Sequence, residues 1–294
     1  MSYLQAIILG ILQGATELFP VSSLGHSVIV PSLLNWNIDQ SADFFLIFLV
    51  ATHLATSLVL FAFFYEDWAK IIVAVIRSIK NRSIKAADTY AQLGWLIIVG
   101  SIPAGLLGLI LEKKLETLFA SPKAAAFFLI CNGLLLYGAE LLRKRVKHVE
   151  TGSHEGDAAK DIRITKTLDW SKTIKIGFAQ ALALLPGFSR TGATITGGLL
   201  VGLSREDAAR FSFLLATPII FAAACLKLPG LAYGSAGSAA GPILAGVVAA
   251  AIAAFLSVRY LTKYFKTNTL EPFAYYCLIA GILSLAVLSI FTIS

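Results

Sequence analysis

A chain of 294 residues that is 57% hydrophobic and only 14% charged holds more apolar side chain than a water-soluble fold needs, so the composition excludes a soluble domain and places most of the chain in a bilayer. The net charge of +7 sits on lysines and arginines between the apolar runs; they form no nucleic-acid-binding motif, and DNA and RNA are discarded as partners. Cys131, Cys225 and Cys277 fall inside apolar runs without metal-ligand spacing and read as small buried side chains.

The N-terminus, MSYLQAIILG, lacks a basic n-region, and no cleaved leader is expected. Residues 4–34 are apolar but broken at Gln13 to His26, QGATELFPVSSLGH, by Pro20, glycines and polar side chains. Windows of about twenty apolar residues predict spans at 44–64, 91–111 and 124–142. His53, alone on the first, reads as structural or as a neighbour of the site. From Arg143 to Lys172 the chain mixes both charge signs with Gly, Ser, His148 and His154, the pattern of a solvated connector, with metal binding by the histidines as the lesser reading. A second broken stretch, 174–202, contains Pro186 to Thr194, PGFSRTGAT, and is followed by spans at 208–228, 242–261 and 273–293. The expected fold is all-α and polytopic: six transmembrane helices plus two re-entrant helical hairpins, because irregular backbone at membrane depth survives only where protein or a wet cavity satisfies it.

Shifting the chain by 167 aligns Gly10 with Gly177, Gln13 with Gln180, Leu18 with Leu185, Ser22 with Ser189 and Gly25 with Gly192, and LVAT at 49–52 faces LLAT at 214–217. Each half therefore reads as a hairpin followed by three spans: a first repeat over 1–145, a cytoplasmic linker over 146–172 and a second repeat over 173–294. An odd number of spans per repeat inverts the second one, as in transporters. Nine basic residues lie between Arg143 and Lys175, and Lys70, Arg77, Lys80, Arg82, Lys85, Arg205, Arg210, Arg259, Lys263 and Lys266 share that side. The positive-inside rule then places both termini outside, so the hairpins enter from opposite faces and their tips can meet.

The two polar stretches hold complementary chemistry. Pro186 and Gly187 break the helix, Gly192 permits close approach, and Ser189, Arg190, Thr191 and Thr194 offer donors. A loop feeding a helix N-terminus makes an anion cradle, to which Arg190 adds a planar two-pronged grip on phosphate oxygens. The plainer role for Arg190 is an ion pair with Glu17 that ties the hairpins together. Gln13 and Glu17 lie four apart, on one face of a helical arm, and Glu17 opposite Arg190, a cation or a phosphate-bound metal could stay ionised. A serine beside a base can attack phosphorus. Ser23 is the candidate nucleophile with His26 as base; the competing schemes make His26 the nucleophile or a hydrogen-bonded structural histidine. Gln13, Ser22, Gly187, Ser189, Thr191 and Thr194 complete the expected substrate contacts.

QGATELFPVSSLGH and PGFSRTGAT, with FSFLLATP at 211–218, closely resemble the undecaprenyl-pyrophosphate phosphatase family, also called bacitracin-resistance proteins, over essentially the whole chain. That family's first motif carries Glu or Gln, three residues, then Glu, matching Gln13 and Glu17; VSSxGH matches Val21 to His26, and PGxSRSxxT matches Pro186 to Thr194. The resemblance implies an enzyme of the bacterial cytoplasmic (inner) membrane that removes the terminal phosphate of a polyprenyl diphosphate, recycling the carrier for cell-wall synthesis and giving bacitracin resistance. It also implies a divalent cation, Mg or Ca, at Glu17 with Gln13, and leaves room for a homodimer. Three positions depart from the pattern: Gln13 is the uncharged option, Leu24 stands where threonine is common, and Thr191 replaces the usual serine. Two other classes compete: a polyprenyl-phosphate carrier or flippase without hydrolysis, and the unrelated phosphohistidine lipid phosphatases, whose second histidine and aspartate have no match after Arg190.

Overall fold

The computed structural model describes residues 1–40, 42–119, 121–143, 157–232 and 240–290. Among them the chain is helical throughout, with no strand: α1 Tyr3–Leu18, α2 Ser23–Leu33, α3 Asp43–Phe63, α4 Tyr65–Lys80, α5 Thr89–Phe119, α6 Pro122–Arg143, α7 Asp157–Thr167, α8 Trp170–Ala181, α9 Arg190–Leu200, α10 Arg205–Ala232, α11 Ala240–Tyr264 and α12 Glu271–Ile290. Six described helices are long and apolar enough to cross a membrane, over 43–63, 89–111, 122–143, 205–227, 240–264 and 271–290, in register with the six predicted spans to within a few residues. The two polar stretches fold as broken helix pairs, α1–α2 and α8–α9. Their members have 16, 11, 12 and 11 residues, short of the ~20 residues that a complete span requires.

The repeat is visible in how the helices pair. α1 lies along α11 and α8 along α5, each crossing to the other half, while α3 meets α10 and α6 meets α12. The matched glycines make the crossings close. A Cβ on Gly10 would stand 2.2 Å from the Gly246 carbonyl oxygen, and one on Gly177 would stand 2.6 Å from that of Gly100. The matched serines, Ser22 and Ser189, both cap helices, accepting from the backbone N–H of Gly25 and of Gly192. A shared core of large side chains, including Phe211, Phe213 and Phe265, closes around these pairs.

Two segments differ from expectation. Residues 65–80, read only as part of a basic inner segment, form the amphipathic α4. It buries Trp68, Ile71 and Ala74 and exposes Ile72, Val73, Ile76 and Ile79 beside Lys70, Arg77 and Lys80, the pattern of a helix lying in a membrane interface. The connector is not solvated throughout: α7 buries Asp161 and Arg163. Arg210 grips both Asp161 oxygens at 2.8 and 3.1 Å and pairs with Asp67 at 2.9 Å, and Arg163 grips Asp207 at 3.0 and 2.8 Å. Charges that look like a solvated mixture in sequence are compensated pairwise inside the protein, where an unpaired ion would cost several kcal/mol, roughly 3–5. His148 and His154 lie outside the described residues. Of the cysteines, Cys277 is buried as expected, whereas Cys225 faces outward and Cys131 is half-buried.

Candidate active site

The α1 helix runs to Leu18 and presents Gln13 and Glu17 on one buried face. The chain then turns through Pro20 to Ser22, which adopts a left-handed backbone at φ +68°, and Ser23 opens α2. On the other side Gly187 takes φ +104°, where a Cβ would lie 2.2 Å from the Ala125 carbonyl oxygen, and Arg190 opens α9. The turns touch: a Cβ on Gly25 would be 3.0 Å from the Gly187 Cα. Ser23 and Arg190 are equivalent under the 167-residue shift and each is the first residue of its helix. Two helix N-termini, the positive ends of the backbone dipoles, therefore meet at one place.

Glu17 is the hub. Its Oε1 accepts from Arg190 Nη2 at 2.8 Å. Its Oε2 accepts from the Ser23 hydroxyl and from Gln13 Nε2 at 3.1 Å, with His53 Nε2 at 3.3 Å. Thr191 Oγ1 donates to the Glu17 backbone oxygen at 3.0 Å. Two buried polar atoms flank the hub without a partner, Gln13 Oε1 and Arg190 Nη1. A buried donor left open on a guanidinium is costly, and an incoming phosphate oxygen would satisfy it.

The structure brings Gln13, Glu17, Ser23 and Arg190 together but pairs them otherwise than expected. Ser23 meets Glu17 and not His26. The imidazole instead has its Nδ1 on the Ser22 carbonyl oxygen at 2.6 Å and its Nε2 on the Tyr276 hydroxyl at 2.8 Å. The Glu17–Arg190 ion pair that ties the hairpins is present, and it leaves one guanidinium nitrogen open, so tying and anion binding are compatible. The hydroxyls expected to bind phosphate hold the protein together: Ser189 Oγ caps α9 and reaches the Phe19 carbonyl oxygen at 3.4 Å, and Thr194 bonds the Arg190 carbonyl oxygen at 2.8 Å and the Ser212 hydroxyl.

Three side chains at the site come from elements that carry no motif. His53, on α3, donates from Nδ1 to the Leu49 carbonyl oxygen at 2.7 Å and turns Nε2 to Glu17. Asn132, fully buried on α6, donates to the Pro20 carbonyl oxygen at 3.0 Å and accepts from the Ser189 backbone N–H at 3.1 Å, joining both turns. The third is Tyr276 on α12. The sequence signal for the first two was a lone polar side chain inside an apolar span.

A resident divalent cation does not fit these residues. Such an ion takes several oxygen ligands, yet both Glu17 oxygens already face N–H or O–H donors, and no group of three His, Cys, Asp or Glu among the described residues could hold a metal. Among the described residues of this site, Gln13 Oε1 alone is a buried oxygen without a partner.

The sequence profile described as bacitracin resistance protein BacA matches residues 6–283. The chain is 48% identical to an undecaprenyl-diphosphatase of Mycolicibacterium paratuberculosis, covering 99% of this chain and 98% of the relative. It is 44% identical to undecaprenyl-diphosphatase 2 of Chromobacterium violaceum, covering 97% and 98%, and 41% identical to undecaprenyl-diphosphatase 2 of Frankia alni, covering 96% and 97%.

Proposed function

We infer how the site works from the premise that the chain belongs to the bacitracin resistance protein BacA family. It is a multi-pass membrane hydrolase that converts undecaprenyl diphosphate to undecaprenyl phosphate and phosphate, which returns the carrier to cell-wall synthesis and underlies bacitracin resistance. Hydrolysis, not carriage alone, is its activity.

The observation that carries the mechanism is the Ser23 hydroxyl donating to Glu17 Oε2 while Arg190 holds Oε1 and keeps Nη1 open. In our reading the terminal phosphate enters between the N-termini of α2 and α9 and takes the open Arg190 nitrogen. Ser23 Oγ attacks phosphorus as Glu17 takes its proton. The bridging P–O bond breaks, and undecaprenyl phosphate leaves with the electron pair. Arg190 and the two helix dipoles absorb the charge that develops on the transferring group. Water then cleaves the phosphoserine, and Oγ recovers its proton from Glu17. The geometry disfavours attack by His26, whose two nitrogens are engaged by Ser22 and Tyr276. No step is assigned to a metal; a magnesium or calcium ion, as a passenger of the diphosphate, would be bound by the substrate's own oxygens.

The charge asymmetry supports a place in the cytoplasmic membrane with both termini outside and with α1–α2 and α8–α9 as re-entrant hairpins. We retain a homodimer as the assembly to test by cross-linking. The mechanism is tested by trapping the phosphoenzyme from labelled undecaprenyl diphosphate on the purified protein. Acid-stable label at Ser23, absent from Ser23→Ala together with phosphate release, is the expected result; acid-labile label on His26 would overturn it.

A further inference from the structure

His26 sits one turn into α2 and is 5% exposed. Its Nδ1 lies 2.6 Å from the Ser22 carbonyl oxygen, which also accepts from the His26 backbone N–H at 3.3 Å. A carbonyl oxygen cannot donate, so Nδ1 carries the hydrogen. The neutral ring then has a bare Nε2, and the Tyr276 hydroxyl stands 2.8 Å from it, with the two rings 5.7 Å apart and within 12° of parallel. Ser22, whose carbonyl the imidazole holds, is the left-handed residue immediately before Ser23.

We propose that Tyr276 is a positioning residue for the phosphoryl transfer: its hydroxyl donates to His26 Nε2, holds the imidazole in place, and through the Nδ1–H bond to Ser22 fixes the strained turn that aims Ser23 at phosphorus. Which imidazole nitrogen carries the proton is set by what the other one meets. Without the hydroxyl, Nε2 is a buried acceptor with no partner. Moving the proton to Nε2 would not help, since it would leave a buried N–H without a partner and set a bare Nδ1 against a carbonyl oxygen; the ring instead turns toward another donor and pulls Nδ1–H away from Ser22. The turn loses its tether and Ser23 its aim, although Ser23, Glu17 and Arg190 are untouched. Tyr276 belongs to α12, in the second repeat, and Ser23 to the first. The contact thus couples the packing of one repeat to the nucleophile of the other.

The inference rests on Ser23 as the nucleophile, and Tyr276→Phe tests it, since the ring stays and only the hydroxyl goes. In detergent-solubilised full-length protein, kcat should fall about tenfold, the worth of one hydrogen bond, with KM within about twofold. Protein labelled with [15N]histidine, with His26 assigned by its loss in His26→Gln, should show a pyrrole-type Nδ1 and a pyridine-type Nε2 in both proteins, and the deshielded Nδ1–H proton of the parent, the mark of its short bond to Ser22, should move upfield in Tyr276→Phe. An Nδ1–H signal unchanged in Tyr276→Phe overturns the proposal whatever happens to the rate. So does a raised KM at unchanged kcat, which would mean that Tyr276 touches substrate. Label trapped on a residue other than Ser23 in the parent enzyme is a separate failure, that of the nucleophile assignment, and leaves the Nδ1–H result standing.

Discussion

Glu17 faces one hydroxyl, one amide, one guanidinium and one imidazole, and the chemistry turns on which of these lets go. Gln13 orients the carboxylate and Arg190 balances its charge, and in the proposed mechanism the proton that Glu17 takes during attack is the one on Ser23. Glu17→Gln keeps the shape but accepts no proton, so kcat should fall about 10²–10⁴-fold, the usual worth of a positioned base, while the protein still folds. Phosphate release at saturating substrate measures this; a loss below tenfold would remove Glu17 from the base role. His53 gives a finer test. The amide of His53→Gln retains a donor for Glu17 Oε2, whereas His53→Leu has none. The glutamine variant should hold most of the wild-type rate and the leucine variant lose roughly tenfold, one hydrogen bond's worth. Equal rates in the two variants would reduce His53 to packing.

At the scale of elements, short helices that end at the site are held there by backbone that tolerates no side chain. Gly187 combines φ +104° with a neighbouring carbonyl 2.2 Å from where its Cβ would be, so neither alanine nor a larger residue fits without moving α6 or the turn. Gly187→Ala should lower stability by at least about 1–3 kcal/mol, the cost of a strained backbone position, seen as a lower thermal midpoint in detergent. Gly105→Ala makes the control. Gly105 lies within α5 with nothing inside 4 Å of an added Cβ, and alanine there should stabilise by roughly 0.5–1 kcal/mol through helix propensity. A Gly187 variant as stable as the parent would mean that the turn is less constrained than its geometry says. Asn132 serves the same end: one amide holds the Pro20 carbonyl and the Ser189 N–H, setting the distance between two turns that are far apart in the chain.

Across the whole molecule, the repeat explains how one site draws on both halves. The equivalent positions 23 and 190 open equivalent helices, and in the proposed mechanism one supplies the nucleophile and the other the cation. In an inverted repeat equivalent positions lie at mirrored depths, so they meet tip to tip only where both approach the midplane. The topology itself makes a prediction. A cysteine introduced near Ser153 should be protected from an impermeant thiol reagent in intact cells, and one near Ser294 should react. The reverse labelling would overturn the orientation, and with it the outward opening of the first hairpin.

Hydropathy determined the six spans, and glycine and proline placement determined the two breaks, because both are local properties: a run of apolar side chains or a missing N–H acts where it stands. Gly10 and Gly177, or Ser22 and Ser189, could be matched for the same reason, since each meets the same local need in its half. The motif residues marked the two turns that the fold brings together. What no local pattern could state was who faces whom. Ser23 lies three residues from His26 and six from Glu17 in sequence, yet the left-handed turn at Ser22 directs its hydroxyl to the carboxylate. His53, Asn132 and Tyr276 reach the site from separate spans, and periodicity reports that a face is buried without naming its partner. The ion pairs of Asp161 and Arg163 stayed hidden likewise: in sequence a charge looks solvated, and only a counter-charge from another helix, here Arg210 or Asp207 on α10, makes its burial affordable.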